Sequence, residues 1–401
     1  ISVFCDKHRP GSYGIMSLMG TSTCINIMDF RRIAKRRLPA PVFHYLDGGA
    51  DDEWTMRRNT EAFNDYELLP SHLSDVSSVD TTSTLLGHKI DWPVMIAPTG
   101  ASRLFHAEGE PAVARAAEKF NIPYSLSTVG TTTIEDIAAI GDHPKVFQIY
   151  VFRDRGLTKR FVERCKASRY TALCLTVDTP VAGNRERDTY YGMMATAKPA
   201  LRSVPSMLRH PGWLYRAVVR KDMELVNITG DDDGPSFTDK SVKDFIDSQF
   251  DRSLTWKDVE WLADQWGGPL IIKGVQTVED CRKAAESGAT AVMLSNHGGR
   301  QLEGCPAPVD CIADVADALR DRLEIICDGG IRRGTHIVKA LALGAHAVSI
   351  GRSYLYPLAA GGQKGVERGL GILQDEMNRT MALVGCDSAS KLGGHYVRKR
   401  A

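Results

Sequence analysis

From about residue 94 onward the chain alternates short apolar, β-rich runs with stretches of helical periodicity, and it does so eight times. The runs are Val94–Ala97, Tyr124–Leu126, Val146–Tyr150, Ala172–Val177, Leu270–Lys273, Ala291–Ser295, Glu324–Cys327 and Ala347–Ile350. The helical stretches between and after them are Glu110–Phe120, Thr133–Ile140, Leu157–Ala167, Trp256–Trp266, Val278–Ser287, Val309–Asp321, Thr335–Leu343 and Val366–Val384. Strands separated by helices predict a parallel sheet, and near-continuous apolar runs predict one covered on both faces. Eight such units predict an α/β fold, the (β/α)8 TIM barrel. A doubly wound open sheet is the runner-up. It would want Gly-x-Gly-x-x-Gly at the first strand–helix turn, and Pro98-Thr99-Gly100-Ala101 is not that.

The 401 residues suffice for one large barrel with additions. Residues 1–23 read as an irregular arm, and 24–401 as the barrel domain. Ahead of the first strand lies an extension with a helix, Ile27–Arg36, that Asn26 can cap. Residues 180–255 form an insertion after strand four, far longer than an ordinary connection. Such an insertion sits over a barrel's active face. Between Gly192 and Lys221 it has no acidic residue but six basic ones, Lys198, Arg202, Arg209, Arg216, Arg220 and Lys221. Apolar and aromatic residues, among them Met193, Met194, Leu208, Trp213, Tyr215, Val218 and Val219, are interleaved with them. That pattern suits an anionic membrane surface, and equally a lid whose charges are merely solvated. The 50 basic and 49 acidic residues give no general attraction for nucleic acid. The nine scattered cysteines, with no Cys-x-x-Cys pair, argue against a disulfide framework or structural zinc and for a reducing, cytoplasmic setting. No run of 18 apolar residues predicts a membrane span.

Barrel enzymes take their catalytic groups from strand ends. Strand one ends at Pro98, Thr99 and Gly100, strand two at Ser127, strand three at Gln148 and Tyr150, and strand four at Thr176 and Asp178. Strand five ends at Lys273, and strand six at Ser295, His297 and Arg300 on a glycine-rich turn. A lone histidine there is most often structural. With Arg300 three positions on, the pair suits a carboxylate-bearing substrate: arginine grips the anion and histidine exchanges a proton near neutral pH. Strands seven and eight end in Asp328-Gly329-Gly330-Ile331-Arg332 and Gly351-Arg352. Glycine-bearing turns at these two places are where barrels bind phosphate. Together these groups describe a flat, polar-edged, phosphorylated cofactor, and flavin mononucleotide (FMN) fits. Lys273 beside the flavin's N1–C2=O edge would stabilise the anionic reduced ring.

Eight motifs in order then carry a resemblance. They are Tyr45-Leu46-Asp47-Gly48-Gly49-Ala50, Ala97-Pro98-Thr99-Gly100, Phe147-Gln148-Ile149-Tyr150, Leu175-Thr176-Val177-Asp178, Ile272-Lys273-Gly274, Ser295 to Leu302, Asp328 to Gly334, and Ile350-Gly351-Arg352. From about residue 24 to 398 the chain resembles the FMN-dependent α-hydroxy-acid oxidising family. The resemblance implies that His297 is the active-site base and that Asp178 stabilises its imidazolium. It implies that Arg300, Arg185 and Tyr45 hold the substrate carboxylate and that Tyr150 lies near the reacting hydroxyl. It leaves open whether the Cα hydrogen departs as hydride or proton. It assigns FMN contacts to Pro98, Thr99, Gly100, Ser127, Gln148, Thr176, Lys273, Ser295, Asp328, Gly330, Arg332, Gly351 and Arg352.

The implied reaction is oxidation of a small L-2-hydroxy acid, with L-lactate leading, and transfer of electrons to a quinone or cytochrome. Alternatives are an oxidase using O2 and making peroxide, mandelate or glycolate as substrate, and, remotely, a non-redox FMN barrel. The resemblance further implies a homo-oligomer, a tetramer by analogy, and a peripheral place on the inner face of the cell membrane. Three departures stand out. Glu303 replaces the usual aspartate, Val129 stands where plant glycolate oxidase has tryptophan, and Gly100 stands where many members have alanine. The last two are expected to make the pocket roomier, with open space beside flavin N5.

Overall fold

The structure is a computed structural model, and it describes residues 20–193, 201–220, 223–229 and 250–400. Eight parallel strands close into a barrel: β1 Val94–Thr99, β2 Tyr124–Ser127, β3 Lys145–Ile149, β4 Ala172–Thr176, β5 Leu270–Val275, β6 Ala291–Ser295, β7 Glu324–Asp328 and β8 Ala347–Ile350. Helices α1 Gly109–Lys119, α2 Ile134–Ala138, α3 Arg155–Ala167, α4 Trp256–Trp266, α5 Val278–Glu286, α6 Pro308–Leu319, α7 Gly334–Ala342 and α8 Arg352–Val384 follow the strands in turn. The expected (β/α)8 barrel is therefore the fold.

Side-chain alternation along the strands decides where the site lies. Phe147, Leu173, Leu175, Ile272, Leu294, Ile325 and Val348 belong to the large core shared with the helices. Val146, Cys174, Ile271, Met293, Ile326 and Ala347 form a separate cluster inside the barrel. Two positions beyond these come Gln148, Thr176, Lys273, Ser295, Asp328 and Ser349, all buried. The interior thus turns from apolar to polar toward the strands' C-terminal ends. The other end is plugged by a hairpin, Ser83–Leu85 with His88–Ile90, which adds Leu85, Leu86 and Ile90 to the inner cluster.

Three details differ from the sequence expectation. β5 runs on to Val275 through a register shift after Lys273. Gly274 there has φ +105°, and a Cβ on it would stand 2.6 Å from the Cβ of Asp178, so glycine lets Asp178 approach the strand. α8, Arg352–Val384, is two helical halves joined by a kink at Gly361 and Gly362, whose φ/ψ are non-helical, so a half starting at Arg352 precedes the expected Val366–Val384 helix. Besides the expected helix, seen as Ile27–Arg37 with Asn26 Oδ1 accepting from Asp29 N at 3.0 Å, the extension folds two more, Ala40–Asp47 and Trp54–Glu61.

The described part of the basic stretch forms short helical turns, Leu201–Ser203, Val204–Leu208, Pro211–Tyr215 and a π-helical turn Arg216–Arg220. Met194, Lys198 and Lys221 lie outside the described residues, as does the arm through residue 19. Trp213 Nε1 donates to Leu104 O at 2.9 Å, and Arg216 Nη1 to Arg103 O at 3.0 Å. Ala40 N donates to Ser206 Oγ at 2.9 Å. These bonds fasten the stretch to the loop after β1 and to the extension. Leu208, Val218 and Val219 are left outward, 67%, 68% and 63% exposed. No helix among the described residues is long and apolar enough to cross a membrane.

Candidate active site

A cavity of about 920 Å³ opens at the C-terminal end of the barrel. Its wall carries Tyr45, Pro98, Thr99, Gly100, Ser127, Gln148, Tyr150, Thr176, Arg185, Lys273, His297, Arg300, Asp328, Gly330, Arg332, Gly351 and Arg352. Two expected residues stand behind that wall. Asp178 lies beneath His297. Ser295 lies beneath Lys273, donating to Asp328 Oδ2 at 2.7 Å and accepting from Lys273 Nζ at 3.2 Å.

His297 sits just past β6 with φ +58°, left-handed backbone that is uncommon outside glycine. Its N–H donates to Ser295 Oγ at 3.0 Å, and its Nδ1 lies 2.9 Å from Asp178 Oδ1. Burial pulls the imidazole below the ordinary histidine value; Asp178 opposes this and Lys273 adds to it. Burial would raise the Asp178 carboxyl, yet His297 and Lys273 outweigh it and hold the group low. Burial would likewise depress Lys273, but Asp178 and Asp328 keep its ammonium above the usual lysine range. The arrangement is a neutral imidazole oriented by a carboxylate, with a fixed cation 3.7 Å from Asp328 on the same floor.

Arg300 Nη1 donates to the carbonyls of Tyr45 and Gly48 at 2.7 and 2.8 Å, and its guanidinium lies 5.0 Å from the Tyr45 ring centre. Burial and the nearby Arg185 pull Arg300 down to about 9. Two guanidinium groups share one cavity wall, which favours an arriving anion. Arg352 is tied to the extension and to the loop after β6. Its guanidinium donates to the carbonyls of Leu46, Gly298 and Gly48 at 3.1, 2.9 and 2.6 Å. What Gly351 and Arg352 offer an anion is the backbone N-terminus of α8. Burial lowers Arg332, whose Nη1 donates to Ile331 O at 2.8 Å.

The extension clamps this site. Asn59 and Asn296 exchange side-chain hydrogen bonds, both 2.7 Å, in a fully buried pair. Ala50 N donates to Gly299 O at 2.8 Å. Glu303 accepts from Trp54 N and Thr55 N at 2.6 and 3.2 Å, capping the helix Trp54–Glu61. Gln301 Nε2 donates to the carbonyls of Asp178 and Val181, both at 2.9 Å, joining the loops after β4 and β6.

Residues 34–399 match the FMN-dependent dehydrogenase family. The chain belongs to this family. It is 40% identical over 373 residues to the L-lactate dehydrogenase of Vibrio cholerae serotype O1 (strain M66-2), covering 93% of this chain and 98% of that one. Among solved structures it resembles the monotopic membrane protein (S)-mandelate dehydrogenase, with TM-score 0.88 and 36% identity over 94% of this chain and all of that one. It also resembles a mutant flavocytochrome b2 with pyruvate bound, with TM-score 0.79 and 33% identity over 95% and 88% of the two chains. As an FMN-dependent dehydrogenase, this protein is a 2-hydroxy-acid oxidoreductase with FMN as its cofactor.

The cavity suits that cofactor. Gln148 Oε1 accepts from Ser127 Oγ at 2.9 Å, while Gln148 Nε2 and Ser349 Oγ are buried without a protein partner. Buried polar atoms of this kind want a ligand's polar edge. Gly330 has φ +76°, and a Cβ there would collide with Asn59 O at 1.8 Å, so only glycine brings this turn to the cavity.

One expectation about the pocket is corrected. Gly100 does not leave open space, because Val129 fills it: a Cβ on Gly100 would stand 2.5 Å from Val129 Cγ2. Sequence reading also passes over Asn59, Asn296 and Asp188. Asn59 and Asp188 lie off the strand ends, Asn296 is in the motif after β6 but carries no group that marks it for chemistry, and each gains its place from a partner distant in the chain or from burial.

Proposed function

We propose that this enzyme oxidises an L-2-hydroxy acid, L-lactate first among them, to the 2-oxo acid and passes the electrons to a membrane quinone or a cytochrome. The observation that carries the catalytic half is the His297–Asp178 pair at 2.9 Å beside Arg300 and Arg185 on one cavity wall.

Arg300 and Arg185 bind the substrate carboxylate, and Tyr45 adds a hydrogen bond. Tyr150, whose hydroxyl is held protonated by burial and by Asp178, is a donor toward the reacting oxygen. With Nδ1 engaged by Asp178, His297 Nε2 accepts the proton that leaves the substrate, and Asp178 stabilises the resulting imidazolium. When bound, FMN supplies the two-electron acceptor. Pro98, Thr99, Gly100, Ser127, Gln148, Thr176, Lys273 and Asp328 would hold its ring system, with Ser295 supporting Lys273 from below. Gly330, Arg332 and the backbone of Gly351 and Arg352 would hold its phosphate.

The acceptor half rests on the outward face of residues 201–220, where apolar Leu208, Tyr215, Val218 and Val219 stand among Arg202, Arg209 and Arg220. A face of this composition suits an anionic lipid surface. The likeness to a monotopic membrane dehydrogenase supports the same reading. Anaerobic mixing with a panel of hydroxy acids tests the substrate: L-lactate should bleach the flavin fastest. Dye reduction should outpace oxygen consumption, and rapid aerobic reoxidation of the flavin contradicts the quinone reading. Replacing Leu208, Tyr215, Val218 and Val219 with serine should release the protein from vesicles containing anionic lipid while flavin reduction persists.

A further inference from the structure

The carboxylate of Asp188 shares the arginine wall. It lies on the cavity, its side chain only 8% exposed, with Oδ2 3.7 Å from Arg185 Nη1. That separation exceeds a charge-assisted hydrogen bond of about 2.7–2.9 Å, so the contact is electrostatic and leaves Arg185 free to turn. Arg185 Nε is buried without a partner. Both bonds of Arg300 Nη1 go to neutral carbonyls. Burial raises the Asp188 carboxyl, and Arg300 and Arg185 pull it back.

The backbone around Asp188 is firmly placed. Its N–H donates to Arg185 O at 3.0 Å, and its carbonyl accepts from Met193 N at 2.9 Å. Its neighbour Arg187 pairs with Asp47 and Glu53, and Asn184 Nδ2 donates to Asp51 Oδ1 at 2.7 Å. Asp188 is therefore a fixed anion beside Arg185, which can turn, and near Arg300, which two carbonyls anchor.

Substrate and product carry the same carboxylate. Two guanidinium groups on one cavity wall with no internal anion would grip the 2-oxo acid as hard as the hydroxy acid, and uniform binding of that kind does not speed turnover. We propose that Asp188 is a built-in counter-anion of the carboxylate site, which faces Arg185 before substrate arrives and weakens the hold of Arg185 and Arg300 on the departing product. The proposal rests on the reading of Arg185 and Arg300 as the carboxylate grip. Asp188 acts through these arginines and is a positioning residue.

The test is a titration of the FMN-loaded protein with oxalate, read by flavin absorbance, for the unaltered chain, Asp188→Asn and Asp188→Ser. The two uncharged variants should bind oxalate about tenfold tighter. With hydroxy acid as substrate, KM and kcat should fall together as product leaves more slowly. Oxalate affinity unchanged or weakened in both variants overturns the proposal, because a scaffolding role would only loosen the site. If the unaltered, flavin-loaded protein does not bind oxalate, the carboxylate site itself is wrong and the proposal falls with it.

Discussion

His297 Nδ1 and Asp178 Oδ1 meet at 2.9 Å although they lie 119 positions apart, one past β6 and the other past β4. β5 runs between these two strands. Gly274, at its register shift, makes the room that Asp178 occupies. The pair is thus a product of barrel closure, and it leaves Nε2 as the ring nitrogen available to a ligand.

Removing the countercharge should therefore weaken the base. Asp178→Asn should slow flavin reduction by substrate about 100-fold or more while FMN remains bound. Stopped-flow absorbance under anaerobic conditions checks this.

The pH profile follows from the direction of the His297 shift. Burial holds the folded imidazole below its ordinary value, so the neutral, proton-accepting form persists into mildly acidic solution. kcat/KM should be flat at neutral pH and fall only below the usual histidine range near about 6.5. In Asp178→Asn the opposing carboxylate is gone, and the acid limb should move to still lower pH. The same sign governs stability: a depressed folded value contributes stability above the unfolded pKa, and it is lost as pH falls through the folded one.

Gly100 and Val129 should behave as one unit. Gly100→Ala drives a methyl into Val129 and should cost about 1–3 kcal/mol, as overpacked cores do. Val129→Ala should relieve most of that cost. A double-mutant cycle on thermal unfolding measures the coupling, and simple additivity contradicts it.

Asn59 should matter to a loop it does not belong to. Asn59→Ala leaves the buried Asn296 amide without its reciprocal partner, a loss of about 1–3 kcal/mol. Because Asn296 precedes His297, kcat should fall more than FMN affinity. Equal losses in both would reduce the pair to general scaffolding.

The barrel was legible because each strand is an apolar run at a regular interval, and local pattern alone marks such runs. The strand-end polar groups were legible for the same reason, since alternation places Gln148, Thr176 and Lys273 inside once the strands are known. The two extra helices of the extension were not. They are short, one opens after Pro39 with Pro41 in its first turn, and the other is capped by Glu303 from a loop far along the chain. The anchoring of the Arg352 guanidinium was not legible either, because the carbonyls that receive it come from residues 46, 48 and 298. The filling of Gly100's space by Val129 was equally invisible, being a contact between two loops.

Anaerobic titration of the FMN-loaded His297→Gln protein with L-lactate, followed at the flavin's visible absorbance, tests the central claim most directly. The account predicts that the variant keeps its flavin and leaves it oxidised over times in which the unaltered protein is fully bleached, a rate loss of about 1000-fold or more. Bleaching at an undiminished rate would contradict it.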